Sequence, residues 1–197
     1  MNPSRWLDAD GAHSFQVLWR DGDRVFCRGQ RQTADGEREN VLAVLPATAH
    51  PPPGSLDRLA HEYRLKDELD AAWAVRPLEL VRERGRVVLV LEDPGSEPLG
   101  QLLAGPLDLG RFLRLAIGIT SAVGKAHRCG LVHKDLKPAN ILVNHMTSEV
   151  RLTGFGIASR LHRERPTPES PETIAGTLAY MAPEQTGRMN RSIDARS

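Results

Sequence analysis

The residues at 133–140, His-Lys-Asp-Leu-Lys-Pro-Ala-Asn, constrain the chain most, because they place an acid, a cation and an amide in one tight turn. A long apolar helical pattern precedes this stretch, and the short apolar strand Ile-Leu-Val follows it at 141–143. Phosphoryl transfer from a nucleotide needs a carboxylate to orient the attacking hydroxyl, a cation to offset charge and an amide oxygen for Mg²⁺. The sequence therefore predicts a phosphoryl-transfer site at Asp135, Lys137 and Asn140.

The pattern H-x-D-L-x-x-x-N at 133–140 resembles the catalytic loop of protein kinases, and Lys137-Pro138 resembles their Ser/Thr-specific branch. The alternative is a polar turn with a chance His-x-Asp. A second motif disfavours that alternative, because Ala182-Pro183-Glu184 follows in the order that the family requires. The stretch 176–184 resembles the end of a kinase activation segment.

The resemblance implies a role for each residue of the site. Asp135 would be the catalytic base, Lys137 would lie at the γ-phosphate, and Asn140 would bind one Mg²⁺. Thr177 would pack against Asp135 and Lys137. ATP and Mg²⁺ are the implied cofactors, and a protein is the implied substrate.

The same resemblance implies an α+β fold, bilobal and protein-kinase-like, with a small antiparallel-sheet N-lobe carrying one helix and a truncated, mainly helical C-lobe. We expect an N-terminal segment at 1–14, the N-lobe at 15–91, a hinge at 92–95 and a partial C-lobe at 96–197. Apolar runs predict strands at 15–19, 24–28, 41–45, 75–81, 86–91, 141–143 and 150–152. Helical spacing predicts helices at 56–70, 99–103 and from 109 to near 129.

The connection between the first two strands corresponds to the glycine-rich loop that covers the ATP phosphates in kinases. Here the turn contains Gly22, flanked by Asp21 and Asp23. A phosphate cradle needs bare backbone N–H groups and no anions. We therefore interpret this hairpin as an ordinary solvated turn in which two carboxylates oppose triphosphate binding.

The helix predicted at 56–70 resembles the αC helix of kinases, and Glu62 takes the place of its ion-pairing glutamate. Ser55 is the predicted N-cap. Residues at helical spacing are expected to face the sheet: Leu56, Leu59, Ala60 and Tyr63. Glu92 begins the predicted hinge, where adenine would hydrogen-bond backbone groups; a simple turn fits the same residues.

A second amphipathic helix follows Asp108, its predicted N-cap, and is predicted to end near Gly130 as the C-cap. Its apolar residues fall on one face: Leu109, Phe112, Leu113, Ala116, Ile117 and Thr120. This helix delivers the chain to the loop at 133–140.

Two charged groups that kinase chemistry uses are missing. A lysine on the third strand should hold the α- and β-phosphates and pair with the αC glutamate. The strand around Ala43 has none, and no residue before Lys66 is lysine. The Mg²⁺-binding aspartate is expected where Gly154 stands, and no aspartate occurs between Asp135 and Asp194. We therefore predict weak ATP and Mg²⁺ binding, and a Glu62 that is solvated or paired with an arginine.

Composition limits the other options. The net charge of +1 gives no indication of a nucleic-acid partner. Cys27 and Cys129 form no metal-binding pattern, so we expect no structural metal and a reduced, cytoplasmic setting. No apolar run approaches the length of a membrane span.

Two functions remain open. The first is a regulatory, pseudokinase-like module that contacts a protein, such as its own downstream domains, and the second is an atypical but active Ser/Thr kinase. A third option is a piece that does not fold stably alone. The runs at 152–158 and 186–194 resemble bacterial multidomain sensors, in which a Ser/Thr-kinase-like domain precedes an ATPase module and a sensor histidine kinase. The polar stretch 160–172 is typical of a surface loop, and Thr167, Ser170 and Thr173 are candidate phosphorylation sites, with Lys134 as the cationic partner.

Overall fold

The computed structural model describes residues 16–33, 35–83, 85–160 and 176–188, together with 193–194 and 197. These residues form two compact units. The first contains the described residues up to Lys66 and the segment Arg76–Pro94, and the second contains Asp67–Val75 and the described residues from Gly95 onward.

The first unit is a five-stranded antiparallel sheet with one helix, which confirms the predicted class of this part of the chain. The strands are β1 (Gln16–Asp21), β2 (Arg24–Gln32), β3 (Arg38–Pro46), β4 (Pro77–Glu83) and β5 (Arg86–Glu92), in the spatial order β1-β2-β3-β5-β4. In β3, residues 41–44 are fully buried, as a continuous apolar run predicts for a central strand. Trp19 of β1 stacks on Phe26 of β2, with ring centroids 4.3 Å apart.

The helix α1 covers Pro53–Arg64 and is shorter than predicted at its C-terminal end. It begins at Pro53, whose fixed backbone angle suits the first helical position. Ser55 therefore lies inside the first turn, and the prediction that it caps the helix is wrong. The residues of α1 that are buried are Ser55, Leu59 and Glu62, so the buried stripe is rotated from the predicted one. The two polar residues, Ser55 and Glu62, have polar partners, described below, that offset the cost of burying them.

The second unit contains one long helix, α3 (Leu109–Arg128), and a four-residue helix, α2 (Leu99–Leu102). Its strands are β6 (Glu97–Pro98), β7 (Leu131–Val132), β8 (Ile141–Val143), β9 (Val150–Leu152) and β10 (Ser159–Arg160). They form two small antiparallel sheets, β6-β8-β9 and β10-β7. The sequence predicts β8 and β9 at their observed positions but misses the three two-residue strands. None of the helices that the structure describes is long and apolar enough to cross a membrane.

The apolar face predicted for α3 exists, but it is exposed to solvent. Leu109 and Ile117 are 72% and 69% exposed, whereas Ala122 and Ala126 are buried. The reason is the small residue at 118, because a Cβ there would lie 2.7 Å from the Val150 side chain of β9. The helix therefore lies against β9 through its small residues, which permit the closest approach.

Asp108 is the N-cap of α3, as predicted, and its Oδ1 accepts a hydrogen bond of 2.9 Å from the Arg111 N–H. This backbone hydrogen bond lowers the pKa of the Asp108 carboxyl.

Asp108→Ala is expected to lower the thermal midpoint, because it leaves backbone donors in the first turn of α3 without a partner. A carboxyl whose folded pKa is depressed stabilises the fold above its unfolded pKa and loses that contribution as pH falls through the folded pKa. The gap between wild type and variant should therefore be present at neutral pH and close in acid. Thermal unfolding across this range checks it, and Asp108→Asn, which keeps an oxygen acceptor without the charge, should retain most of the stability.

Candidate active site

The loop predicted as catalytic runs from β7 to β8, two buried strands that fix both of its ends. Pro138 begins a single 3-10 turn, Pro138–Asn140, which leads directly into β8. Proline suits the first position of such a turn because its missing N–H would have no partner there. The turn brings Asp135, Lys137 and Asn140 to one side of the loop.

Asp135, Lys137 and Thr177 form a closed triangle of polar contacts. The Thr177 hydroxyl donates to Asp135 Oδ1 at 2.8 Å, and Lys137 Nζ donates to Thr177 Oγ1 at 2.8 Å. Lys137 Nζ also lies 3.2 Å from Asp135 Oδ2. The structure thus brings together the three residues that the resemblance placed together, although their catalytic roles remain predictions.

Asn140 is fully buried, and its side chain holds the loop rather than projecting outward. Its Nδ2 donates to the Asp135 carbonyl at 2.8 Å and to Asp135 Oδ2 at 3.0 Å. The carboxamide lies against Gly154, where an added Cβ would be 2.6 Å from Asn140 Oδ1. Gly154 is in the left-handed region, with φ of 83° and ψ of 40°. The space that a side chain at position 154 needs is therefore filled by Asn140.

His133 holds the loop through hydrogen bonds at both ring nitrogens, a role that the sequence did not indicate. Its Nδ1 accepts from the Asp135 N–H at 3.2 Å, so its Nε2 carries the proton and donates to the Thr153 carbonyl at 2.9 Å. The buried ring also lies 4.6 Å from that of Phe155, which in turn meets Trp73 edge-on. His133 therefore ties the loop at 133–140 to the segment that carries Gly154.

The segment at 176–188 contacts the loop at a second point. Gln185, in the 3-10 turn Pro183–Thr186, donates from Nε2 to the Lys134 carbonyl at 2.8 Å. Lys134 has a φ of 68°, a strained conformation for a residue with a side chain. Such strain persists when the surroundings impose it, and it often occurs at functional sites.

The hairpin between β1 and β2 corrects one interpretation made from the sequence. Gly22 occupies the turn with a φ of 57°. Asp21 Oδ2 accepts from Arg24 Nη2 at 2.6 Å, and Asp23 Oδ2 accepts from Arg58 Nη2 at 3.3 Å and also from the Ser55 hydroxyl. The two carboxylates are therefore paired within the first unit and are not bare anions, although the turn is partly exposed, with the Asp23 side chain 38% exposed.

Glu62 is 1% exposed, so of the two alternatives predicted for it, solvated or paired with an arginine, the structure excludes the solvated one. The structure places Arg24 Nη1 4.0 Å from Glu62 Oε2. This agrees with the other half of the prediction, an arginine in place of the missing lysine. This arginine belongs to β2, and nothing in the sequence pattern identifies it as the partner of Glu62.

Glu92, proposed as a nucleobase contact, is engaged at the end of β5. Its side chain pairs with Arg76 at 3.2 Å, and its N–H donates to the Arg76 carbonyl at 3.0 Å. Asp93 pairs with Arg28 at 2.5 Å. Pro94 follows and has no N–H to donate. The predicted hinge therefore offers fewer backbone donors than its length suggests.

The residues of the second unit do not fit an ordinary kinase Mg²⁺ site. Mg²⁺ binds through at least one carboxylate together with the substrate phosphates. At the expected position Gly154 supplies no side chain, and the Asn140 amide is neutral and bonded to Asp135. Within the described residues there is no group of three His, Cys, Asp or Glu side chains that could hold a metal ion.

The candidate phosphorylation sites Thr167, Ser170 and Thr173 lie outside the described residues. At the start of that loop, Arg160 Nε donates to Glu68 Oε2 at 3.2 Å. This contact and the coulombic attraction of Glu68 raise the pKa of Arg160.

Comparison with known proteins indicates the same family as the motif at 133–140. Residues 47–195 match the family described as the protein kinase domain. Serine/threonine-protein kinase pkn2 of Myxococcus xanthus is 29% identical over 164 residues, which are 81% of this chain and 20% of that protein. Serine/threonine-protein kinase pkn3 of the same organism is 31% identical over 153 residues, which are 74% of this chain and 28% of that protein.

Serine/threonine-protein kinase PrkC of Bacillus subtilis is 32% identical over 130 residues, which are 65% of this chain and 20% of that protein. The chain thus spans only a minor part of the curated relatives that it matches.

Proposed function

The chain belongs to the protein kinase domain family, and on that premise we propose that it is a catalytically impaired, pseudokinase-like module that regulates through a protein contact. The chain is a Ser/Thr-kinase-like domain, and the proposal concerns its activity. It assigns the loss of activity to the absent third-strand lysine and to glycine at position 154.

The observation that carries the proposal is the packing of Asn140 against Gly154. Gly154 has no side chain that could supply a metal-binding carboxylate. A side chain at this position would also lack space, since its Cβ would lie 2.6 Å from Asn140 Oδ1. Phosphoryl transfer depends almost wholly on positioning and electrostatics, so this loss acts on the main catalytic factor. If the missing lysine and the missing aspartate each raise the barrier by roughly 3–4 kcal/mol, they together slow transfer on the order of 10⁴–10⁶-fold. Such effects are not strictly additive.

The hinge supports weak nucleotide binding as well. The Glu92 N–H is already bonded to the Arg76 carbonyl. Pro94 cannot donate at all. An adenine ring at 92–95 would therefore find few backbone donors for its acceptor nitrogens.

A second candidate, an atypical active Ser/Thr kinase, is favoured by one specific observation. Asp135, Lys137 and Thr177 are assembled within 3.2 Å of one another. In this alternative Asp135 accepts the proton of a substrate hydroxyl, and Lys137 offsets charge at the γ-phosphate.

Phosphate transfer from labelled ATP separates the two candidates. Under the proposal, wild type and Asp135→Asn give the same background transfer to a general protein substrate. Under the alternative, Asp135→Asn lowers transfer by about 10²–10⁴-fold, because it removes the catalytic base. Thr120→Ala, which removes an exposed hydroxyl from α3, is the control and should match wild type.

The partner and location follow only as parts of this proposal. We propose a cytoplasmic module that contacts downstream domains of a longer signalling protein, such as an ATPase module and a sensor histidine kinase. The support is that the relatives named above are several times longer than this chain. Co-purification of the module with the remainder of its own polypeptide, expressed separately, tests the contact.

A further inference from the structure

The first unit contains a buried carboxylate, Glu62, at the end of α1 and an arginine, Arg24, at the start of β2. Arg24 Nη1 lies 4.0 Å from Glu62 Oε2, and Arg24 Nη2 lies 2.6 Å from Asp21 Oδ2. We infer that Arg24 replaces the missing third-strand lysine as the partner of Glu62, and that it fixes α1 to the β1–β2 hairpin without a nucleotide. Arg24 is thus a positioning residue. The inference deepens the proposed regulatory function, although it stands on the ion-pair geometry.

Burial is the first argument. The side chain of Glu62 is 2% exposed and that of Arg24 is 14% exposed. A carboxylate removed from water needs a cation or hydrogen-bond donors close by, because its desolvation is otherwise strongly unfavourable. No lysine occurs before Lys66, so the sheet has no ammonium group to offer. The guanidinium of Arg24 suits a buried pair because it is always charged and carries several donors.

A second contact ties the same hairpin to the other end of α1. Asp23, one residue before Arg24, accepts from the Ser55 hydroxyl and from Arg58 Nη2. Ser55 and Glu62 are seven positions apart, which is about 10 Å along a helix. The hairpin therefore holds α1 near both of its ends.

Charge explains why this pair does not simply restore a nucleotide site. In kinases the lysine pairs with one glutamate and also contacts the phosphates. Here one guanidinium lies between two carboxylates, Asp21 and Glu62. The formal charge of the trio is negative, so Arg24 has no surplus charge to offset a phosphate. Its role is to position α1.

Hydrogen exchange of the full chain, read by mass spectrometry, tests this role. Arg24→Met and Glu62→Gln are each expected to speed exchange of the α1 amides at 54–64 by at least about tenfold, because Arg24→Met removes the nearby cation from a buried carboxylate and Glu62→Gln removes the charge on α1 that attracts Arg24. The double variant should show less than the product of the two effects, since the variants remove one shared interaction. ATP, with or without Mg²⁺, should leave α1 exchange of the wild type unchanged.

Arg58→Met is the matched control. It removes an arginine from the same hairpin–helix contact, but the pair with Asp23 is 43% and 38% exposed. Exposed pairs contribute little, so α1 exchange should stay within about twofold of wild type. If Arg24→Met does not fold, Arg24→Gln, which is polar and uncharged, and Glu62→Gln provide the same comparison.

Two results would overturn the inference. One is α1 exchange that stays at the wild-type rate both in the uncharged variant of Arg24 and in Glu62→Gln. The other is a loss of ATP affinity in Arg24→Met with α1 exchange unchanged, which would make Arg24 a phosphate-binding cation. Detection of phosphate transfer by the wild type would refute the impaired function but leave the exchange result to stand or fall by itself.

Discussion

Gly154→Ala is expected to lower the free energy of unfolding by about 2–5 kcal/mol, a large share of the stability of a small domain. Two physical causes combine. The residue has a φ of 83°, which costs an L-residue roughly 1–2 kcal/mol. The new Cβ would also displace the buried Asn140 amide and break its bonds to Asp135. Chemical unfolding in urea, followed by circular dichroism, measures the change.

Gly130→Ala provides the matched control for the first cause. Gly130 has a φ of 74°, but a Cβ there meets nothing within 4 Å. Gly130→Ala should lower the free energy of unfolding only by the conformational strain of about 1–2 kcal/mol. Equal losses at the two positions would show that the Asn140 contact does not matter. A larger loss at position 154 that shrinks in an Asn140→Ala background would confirm the contact.

The conformation of the loop at 133–140 could be predicted because its residues lie close together in sequence. Asp135, Lys137 and Asn140 lie within six positions, and a proline between them sets the turn. Their assembly with Thr177 was also anticipated, but only through the resemblance, because nothing in local periodicity links residues forty positions apart. The strands β8 and β9 were predicted at their observed ends because each is a short apolar run.

The failures share one cause, which is that partners distant in sequence decide what a side chain does. Asp23 looks like a bare anion until Arg58, 35 positions away, is placed beside it. Ser55 looks like a cap until its hydroxyl is seen bonded to Asp23.

The same limit applies to α3 and to Asn140. Hydrophobicity identifies the bulky face of α3, but the close approach allowed by Gly118 determines which face lies against β9. The interpretation of glycine at position 154 as a missing metal ligand remains a prediction. The sequence did not reveal that the missing side chain at position 154 also leaves the space that the Asn140 amide occupies.

Gly154→Asp is expected to make ATP binding depend on Mg²⁺, which in the wild type should change ATP affinity by less than about threefold. The variant supplies the carboxylate that Mg²⁺ prefers alongside phosphate oxygens, so the dependence should rise to about tenfold or more. Nucleotide titrations by calorimetry, with Mg²⁺ and with EDTA, measure it. Asp135→Asn should leave the affinity of the wild type nearly unchanged, because Asp135 is predicted to orient a substrate hydroxyl and not to bind the nucleotide.

Gly154→Asn is the matched control, since it has the same size and the same φ strain without the charge. Both variants should be less stable than wild type when metal is absent, because either Cβ lies 2.6 Å from Asn140 Oδ1. Mg²⁺ with ATP should return stability to Gly154→Asp alone, as a ligand that binds only the folded state must. Equal responses of the two variants would mean that the carboxylate cannot reach the metal because Asn140 does not yield. Tight, strongly Mg²⁺-dependent ATP binding by the wild type would contradict the impaired function and favour the active kinase, since Asn140 would then bind the metal without a carboxylate at position 154.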